Sequence, residues 1–495
     1  MSHRMRCDIL FLTFLRKESI IRMEFHPGVF MKKIESFLNS GLYIAIIFGI
    51  TLVAWSFYKE TPPHVFNLYN MVGVFLLILV NTLLLSFFRN TLYTVPVVIS
   101  FLFIINKSTI SFDSVGSMDF PFIAFFVAMM GFLIHFIRFK PQIKRHQFFI
   151  GFALIAISYV IPLLYTPFSV SGLTVSLMGA LYLGLYLFYS STIKGNIDYL
   201  FKILLLANIL LTAEVAIYLY RGYLLNPELD IYHRIYAGWG RNLGWANIND
   251  MCFYIALTFP SYLYFIFKRP QTYLIWFLMI FPTAVVILSK SRGGVIGYVI
   301  VVLGVIAFFL LRGNKKHLTH GLIFLSITAL IAYFTREVFY IWWDFFLDSI
   351  GDDLNSFSTG RIDIYKFGLE VFKEHPIFGG GWMSINTYPG GNLFGGRIFM
   401  YHSTFIQALA AMGIFGLIAL LIHYFQIAKY IFKNPTLEKF LFLIGYLASQ
   451  AHGLIDNVQY AVPYSILIVL ILAIFETAER KTMFESKQLR YHYIE

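Results

Sequence analysis

Long apolar runs separated by short polar turns dominate the chain from residue 38 to residue 478. A helix that crosses the hydrocarbon core of a membrane needs about 20 mostly apolar residues, and this rule predicts about fourteen spanning helices in an all-α transmembrane bundle. The predicted spans are residues 38–58, 68–88, 92–106, 119–137, 147–165, 172–190, 199–220, 249–267, 271–289, 294–311, 318–335, 402–428, 438–455 and 458–478.

Two long polar segments interrupt this pattern and set the predicted organisation of the chain. We expect a segment before the first helix, N-terminal transmembrane helices, a first loop, a central group of helices, a large loop, C-terminal helices and a tail. Their respective bounds are residues 1–37, 38–220, 221–248, 249–335, 336–401, 402–478 and 479–495. The large loop is the longest polar interruption in the second half of the chain.

Composition and charge support a membrane protein and orient it. Hydrophobic residues make up 58% of the chain and charged residues 13%, whereas soluble proteins have about 25% charged residues. The net charge of +12 therefore does not indicate a nucleic-acid partner. About two thirds of the 38 Lys and Arg residues fall in the alternate segments that include both termini. Because positive residues are retained in the cytoplasm, we expect cytoplasmic termini and both long loops on the outer face.

The start of the chain and its cysteines add little chemistry. No small-residue cleavage site follows a short apolar run, so we predict no removable signal peptide. Met31 begins a Met-Lys-Lys-Ile sequence that is typical of an alternative start. Cys7 and Cys252 are far apart, and the loops contain no zinc-type cluster or acidic metal motif, so no metal or other cofactor is predicted.

The large loop contains a predicted amphipathic helix that follows Thr359-Gly-Arg361. Ser358 or Thr359 would cap it, and Pro376 with the Gly379–Gly381 run would end it. Its apolar face is expected at Ile362, Tyr365, Leu369 and Phe372 and could lie on the membrane surface. A cation in the first turn opposes the helix dipole, so we interpret Arg361 as a group that binds an anion.

A second pair of cations lies between the predicted helices 271–289 and 294–311. Lys290 and Arg292 are followed by two glycines. Glycine allows a close approach of the backbone to a ligand, and the arginine fork suits phosphate oxygens. An ordinary tight turn with cations reaching for lipid headgroups explains the pattern equally well.

His402 begins the predicted helix 402–428 and is the candidate proton acceptor. A helix N-terminus disfavours a positive charge, which would keep the imidazole neutral. A polar residue at the membrane interface is the alternative interpretation.

Several other polar residues flank these positions. Asn249 and Asp250 either cap a helix or bind a glycan together with Trp239 and Trp245. Asp456 lies in the turn between the last two predicted helices, close enough to help build a site. Glu214 and His423 fall within predicted spans, where ionisable residues are candidates for function.

The order of these motifs resembles that of the O-antigen ligase/polymerase superfamily of bacterial membrane glycosyltransferases. The resemblance covers roughly residues 236–425. It rests on Ser291-Arg-Gly293, Thr359-Gly-Arg361 with Tyr365, Lys373-Glu-His-Pro376-Ile-Phe-Gly379-Gly-Gly381, His402-Ser-Thr-Phe405-Ile-Gln407 and Met412-Gly-Ile-Phe-Gly416. The resemblance implies a GT-C-like helical fold.

The resemblance also implies a reaction. A glycan would pass from undecaprenyl diphosphate to an acceptor hydroxyl on the outer face of the membrane, without a metal and with inversion. His402 matches the family's essential histidine, Arg292 and Arg361 match its diphosphate-binding arginines, and Asn249 resembles its asparagine before the central helices. Lys290 and Arg397 are expected to assist the arginines. Ser403 departs from the family pattern, in which many members have asparagine.

Three functions stay open at this point. A polymerase would use a second lipid-linked repeat as the acceptor, and the predicted number of helices favours it slightly. A ligase would use lipid A core or a protein. A flippase for lipid-linked oligosaccharides belongs to another class and needs cations along a cavity within the bilayer, whereas the cations here lie in predicted outer loops.

Overall fold

The computed structural model describes residues 27–56, 68–104, 120–225, 227–229, 243, 247–269, 271–289, 291–334, 336–348, 358, 360–387 and 400–492. Within these ranges all regular structure is helical, as the apolar pattern predicts. The helices of the N-terminal half are α1 Pro27–Leu38, α2 Gly41–Ser56, α3 Leu68–Phe87, α4 Val95–Ile104, α5 Phe120–Phe139, α6 Phe149–Val160, α7 Val170–Thr192 and α8 Ile197–Leu225. Short 3₁₀ turns at Thr91–Thr94 and Ile161–Leu164 precede α4 and follow α6.

The C-terminal half contains the helices around the candidate site. They are α9 Ile248–Thr258, α10 Pro260–Lys268, α11 Tyr273–Leu278, α12 Ile280–Leu288, α13 Arg292–Arg312, α14 Lys315–Phe334, α15 Arg336–Asp348, α16 Arg361–Glu374, α17 Ser384–Thr387, α18 Thr404–Lys433, α19 Leu437–His452 and α20 Val462–His492. A 3₁₀ turn at Val458–Tyr460 precedes α20.

Each of the fourteen predicted spans coincides with helical structure, but fewer helices satisfy the requirements for crossing a membrane. Among the described residues, seven helices are long and apolar enough, or eight if the pair α1 and α2, bent by 62°, forms one broken span. Five further apolar helices are shorter. The fold is therefore a polytopic helical bundle, and a count of fourteen stays a prediction.

Two helices lie in the middle of the bundle. Every residue of α9 from Asp250 to Thr258 is buried, and α20 is buried on all sides from Tyr464 to Thr477. Apart from Asp250 and Glu476 near their ends, these stretches carry mainly apolar residues on every side, which is the pattern of a helix surrounded by other helices. In contrast, α14 exposes most of its apolar side chains, as expected for a helix at the periphery facing lipid.

The segment Pro376–Gly381 packs into a break in α18, and we call this arrangement the loop–helix interlock. The helix is broken at Gly413, whose φ of 64° and ψ of −161° are not helical. The loop replaces the missing helical hydrogen bonds: Gly380 N donates to Ala410 O (2.7 Å), Gly381 N to Ala411 O (3.1 Å), Ile414 N to Pro376 O (2.9 Å) and Phe415 N to Ile377 O (3.1 Å). The sequence predicts only a helix terminator here.

Glycine is required at two positions of the loop–helix interlock. Gly379 has a φ of 77°, and a Cβ atom there would overlap the backbone of Ala411. A Cβ atom on Gly413 would overlap the carbonyl of Ile377. Both positive φ angles lie in a region that residues with a side chain rarely adopt. Gly379 of the loop and Gly413 of α18 are therefore both needed for the loop to pack into the helix break.

The amphipathic helix α16 is present, but its buried face differs from the predicted one. Ile364, Phe367 and Val371 are buried, whereas Leu369 is exposed; Ile362, Tyr365 and Phe372 are half-buried. The buried face packs against Tyr401 and Ala410. The prediction was wrong because both faces of this helix carry apolar residues, and the tertiary partner decides between them.

The start of α16 also differs in detail from the prediction. Gly360, with a φ of 78°, occupies the N-cap position expected for Ser358 or Thr359. The Ser358 hydroxyl still accepts a hydrogen bond from Ile362 N (3.3 Å). Arg361 is the first residue of the helix, as predicted.

Candidate functional site

Asp456 lies at the centre of a charged cluster in the turn between α19 and α20. Its Oδ1 accepts a hydrogen bond from Asn457 N (2.9 Å) and lies 3.4 Å from Nδ1 of His402. Its Oδ2 lies 3.6 Å from Nη2 of Arg361 and 3.9 Å from Nε2 of His452. The carboxylate is only 7% exposed. One buried anion therefore joins the predicted base to one of the two predicted diphosphate ligands.

Arg361 is held in place by two partners from the same turn. Besides Asp456, its guanidinium donates a hydrogen bond to the carbonyl of Ile455. The side chain is 19% exposed, so part of its planar donor array stays open to a ligand. Because Arg361 is the first residue of α16, the positive end of the helix dipole lies beside it.

His402 has an unusual backbone conformation. Its φ of 49° is in the left-handed region, which is uncommon for a residue with a side chain. Neighbouring hydrogen bonds fix this geometry: Tyr365 Oη donates to His402 O (2.8 Å), and Thr404 N donates to Gly453 O (2.8 Å). Such strain persists where the surrounding structure over-determines it, which is frequent at functional sites. The side chain remains 33% exposed.

Arg292 approaches the cluster from α13. It follows the helix cap Ser291, whose hydroxyl accepts a hydrogen bond from Gly294 N (3.1 Å). The charges of Arg292 and Arg361 are close enough to act on each other. At Gly293 a Cβ atom would lie 2.6 Å from Cδ2 of His452, so the start of α13 packs directly on the end of α19. The two arginines therefore bring two positive charges close to each other at this point.

The N-termini of α13, α16 and α18 meet at this cluster, and each begins within two residues of Arg292, Arg361 or His402. The N-terminus of a helix carries partial positive charge and unpaired N–H donors. These groups add to the excess charge of the two arginines. The arrangement favours an anion at this point of the structure.

The protonation of Asp456 determines the tautomer of His402. Burial would raise the pKa of Asp456, but the hydrogen bond with His402 and the charges of Arg361 and the two histidines lower this pKa to about 2. The carboxylate is therefore ionised at neutral pH and can only accept hydrogen bonds. Nδ1 of His402 must then be the donor, which leaves Nε2 free to accept a proton.

Asn249 and Asp250 occupy the first turn of α9. Asp250 Oδ2 accepts a hydrogen bond from Asn247 N (3.2 Å), and Asn247 Oδ1 accepts one from Asp250 N (3.0 Å). This capping box is one of the two roles that the sequence left open for Asp250. Asn249 is half-buried and lies one turn before Phe253, whose ring packs on His452 at 5.6 Å. A role of either residue in glycan binding stays a prediction.

Six further candidate residues remain, and the structure describes two of them, Glu214 and His423. Lys290, Arg397, Trp239 and Trp245 lie outside the described residues. Glu214 is buried within α8, and the ring of His423 packs 4.7 Å from that of Phe152.

Sequence reasoning missed His452, which is buried beneath Gly293. It falls inside the predicted span 438–455, whereas the candidates taken from such spans were Glu214 and His423. The spacing of four residues between His452 and Asp456 at a helix end was the available signal, since such residues lie on one face of a helix.

The fold and this cluster define a multi-pass helical membrane protein with an anion-favouring site where several helices begin. Residues 277–421 match the model of a family described as O-antigen ligase. The match confirms the resemblance to the O-antigen ligase/polymerase superfamily. It includes Arg292, Arg361 and His402 and ends before His452 and Asp456. No curated protein matches the chain.

Together, the apolar helices and the family match support a coarse assignment. The match over residues 277–421 supports a glycosyltransferase-like function of O-antigen ligase/polymerase type in surface polysaccharide assembly. The several apolar helices and this match indicate a multi-pass protein of the bacterial inner membrane.

Proposed function

We propose that the chain transfers a glycan from undecaprenyl diphosphate to an acceptor hydroxyl on the outer face of the membrane, with inversion and without a metal. The observation that supports this most directly is the Asp456 carboxylate, which lies 3.4 Å from His402 and 3.6 Å from Arg361. A proton acceptor and an anion-binding group are thus held at one point, with Arg292 beside them.

In the proposed reaction, Nε2 of His402 accepts the proton of the acceptor hydroxyl. The hydroxyl oxygen attacks the anomeric carbon from the side opposite the diphosphate, and the bond between that carbon and the diphosphate oxygen breaks. The configuration at the anomeric carbon inverts. The proton remains on His402 until it is released to water, and Asp456 stabilises the imidazolium that forms.

The leaving diphosphate gains negative charge as the bond breaks. Arg292, Arg361 and the nearby helix N-termini are positioned to stabilise that charge. Preorganised donors of this kind contribute about 10²–10³-fold each, and general-base catalysis contributes about 10²–10⁴-fold. These terms supply charge stabilisation that a metal ion would otherwise provide.

The acceptor distinguishes two versions of this function. A polymerase that uses a second lipid-linked repeat is slightly favoured by the predicted number of helices. A ligase that uses lipid A core or a protein is favoured by the description of the matching family. A flippase is disfavoured, because it needs cations along a cavity within the bilayer and the arginines here are gathered at the ends of helices.

The proposal predicts that His402→Ala abolishes product formation. Purified protein is incubated with one undecaprenyl-diphosphate oligosaccharide and EDTA, and the products are resolved by length. A ladder indicates a polymerase, and transfer only after an added lipid A core or protein indicates a ligase. The control is His375→Ala. His375 is an exposed histidine at the end of α16, and this variant should retain activity. Full product formation by His402→Ala would refute the base assignment, and no product from any acceptor would favour the flippase.

A further inference from the structure

An apolar groove runs along the lipid-facing side of α6 and α7. It has a volume of about 440 Å³, within the range of about 300–1,000 Å³ that is typical of small-molecule pockets. Its lining consists of Ala156, Ile157, Val160, Ile161, Leu164, Ala180, Leu183, Gly184 and Leu187. None of these side chains can form a hydrogen bond, so the groove suits a hydrocarbon.

Small residues on two sides of α7 create the groove. Gly179 faces α6, where a Cβ atom would lie 2.7 Å from Cβ of Tyr159, so this glycine allows the two helices to approach closely. Ala180 and Gly184, one turn apart, line the groove on the lipid side. A Cβ atom on Gly184 would meet nothing within 4 Å. The helices are therefore tightly packed on one side and leave open space on the other.

The end of the groove at Leu164 adjoins the loop–helix interlock. The next residue, Tyr165, donates hydrogen bonds from its hydroxyl to Phe378 O (2.6 Å) and Gly379 O (2.7 Å). Trp382, which follows the same loop, donates from Nε1 to Tyr159 O (3.1 Å), and its ring lies 5.6 Å from that of Tyr460. Tyr460 comes four residues after Asp456. The groove is thus connected to the charged cluster through contiguous packed residues.

We propose that this groove holds part of the isoprenoid chain of the lipid-linked donor. The inference rests on the proposed function, because a diphosphate held by Arg292 and Arg361 leaves its hydrocarbon chain to enter the bilayer beside the site. The groove offers a wholly apolar path that starts near the interlock and descends between two membrane helices. Its lining has no charged or hydrogen-bonding group for a phospholipid headgroup.

The test fills the groove without straining the helix. Gly184→Leu places a side chain into the open space. The enzyme is assayed with two donors that carry the same glycan diphosphate, one on undecaprenol and one on a chain of two isoprene units. We expect the KM for the long donor to rise about tenfold, since a few methylene groups lose their burial, while the KM for the short donor is unchanged. Gly49→Leu, at an open lipid-facing glycine of α2, should change neither.

The possible outcomes distinguish a failure of the groove proposal from a failure of the proposed function. An equal loss with both donors, or no loss with either, would overturn the proposal. If the unaltered protein transfers from neither donor, the proposed function fails, and the groove is tested by crosslinking. Val160 is replaced by a photoreactive benzoylphenylalanine, and vesicles containing undecaprenyl diphosphate and phospholipid are irradiated. Preferential labelling by undecaprenyl diphosphate supports the groove assignment, and labelling by phospholipid alone refutes it.

Discussion

The smallest unit that explains this site is a single buried carboxylate. Asp456 approaches the side chains of His402, Arg361 and His452, which come from three different parts of the chain. A buried carboxylate without partners would be costly, and these three side chains supply the charge and hydrogen-bond donors that compensate it. Asp456 therefore positions groups that act on the substrate, and it need not touch the substrate itself.

Asp456→Asn tests this positioning role. An amide can donate to Nδ1 of His402 and thereby favour the wrong tautomer, so we expect the turnover number to fall by about 10²–10⁴-fold, as in other buried histidine–aspartate pairs. The KM for the donor should change much less. The rate is also measured as a function of pH, because the substitution removes a charge that faces the proton acceptor.

A suitable control is Asp363→Asn, since Asp363 is exposed on α16 and lies 3.5 Å from the exposed Lys366. This variant should keep both the rate and its pH dependence. A pH profile that is identical in Asp456→Asn and the unaltered protein would exclude the positioning role.

The same carboxylate makes the stability of the fold sensitive to acid. Its pKa is lowered from 3.8 to about 2, so the stabilisation is present above about pH 4 and is lost as the pH falls towards 2. The shift corresponds to about 2 kcal/mol. We expect the melting temperature in detergent to be higher for the unaltered protein than for Asp456→Asn at pH 5, with the difference shrinking at pH 2.5. A difference that is the same at both pH values would contradict this.

At the scale of elements, the loop–helix interlock fixes the two helices that carry the site. It joins the loop that follows α16 to α18, and these helices position Arg361 and His402 respectively. Backbone groups in a membrane protein need hydrogen-bond partners, because lipid supplies none. The break at Gly413 is therefore tolerated only with the loop in place.

Gly413→Ala should disrupt this interlock. A side chain at a φ of 64° is strained, and the added Cβ would overlap the carbonyl of Ile377. We expect a loss of about 1–3 kcal/mol in stability together with a lower transfer rate, although no residue of the charged cluster has changed. Thermal unfolding and the transfer assay measure the two effects.

The reference variant is Gly49→Ala, which adds the same methyl group to an open helical position. It should be neutral or slightly stabilising, since alanine favours a helix. If Gly413→Ala behaves in the same way, the interlock does not constrain the site.

The elements differ in how well the sequence predicts them. Each predicted span coincides with a helix because the run of apolar residues is a local property. The buried face of α16 was mispredicted, since Ile364, Phe367 and Val371 compete with a second apolar face and only the contact with Tyr401 decides. The interlock depends on backbone pairing between residues thirty or more positions apart, which leaves no periodic signal.

The residues of the candidate site also differ in how well the sequence predicts them. Arg292, Arg361 and His402 are noticeable from the sequence because they are charged or polar at the ends of apolar helices. Their partners are less visible: Asp456 follows His402 by 54 residues, and His452 lies within an apolar span. The distances between these residues required the fold.

For the molecule as a whole, the distribution of cations predicts its orientation in the membrane. Lys373 on α16 and Lys433 at the end of α18 are both exposed helix-end lysines, predicted on the outer and inner side respectively. Each is replaced by cysteine in a chain whose Cys7 and Cys252 are alanine. An impermeant maleimide added to intact cells should label Lys373→Cys, whereas Lys433→Cys should require permeabilised cells.

The two positions are controls for each other because both carry the same substitution. Labelling of Lys433→Cys alone in intact cells would show that the orientation is the reverse of the predicted one and that the charged cluster faces the cytoplasm. Equal labelling of both in intact cells would contradict the prediction as well.

The loop–helix interlock also has a consequence for biogenesis. Pro376–Gly381 is synthesised before the Gly413 region of α18, and with the predicted orientation it crosses the membrane to the outer face. The break in α18 therefore lacks its hydrogen-bond partners until the loop Pro376–Gly381 packs against it. Since the same docking brings α16 to the N-terminal end of α18, the arginine and the histidine come together only when insertion is complete. A partly inserted chain would thus lack an assembled site and leave lipid-linked glycans untouched.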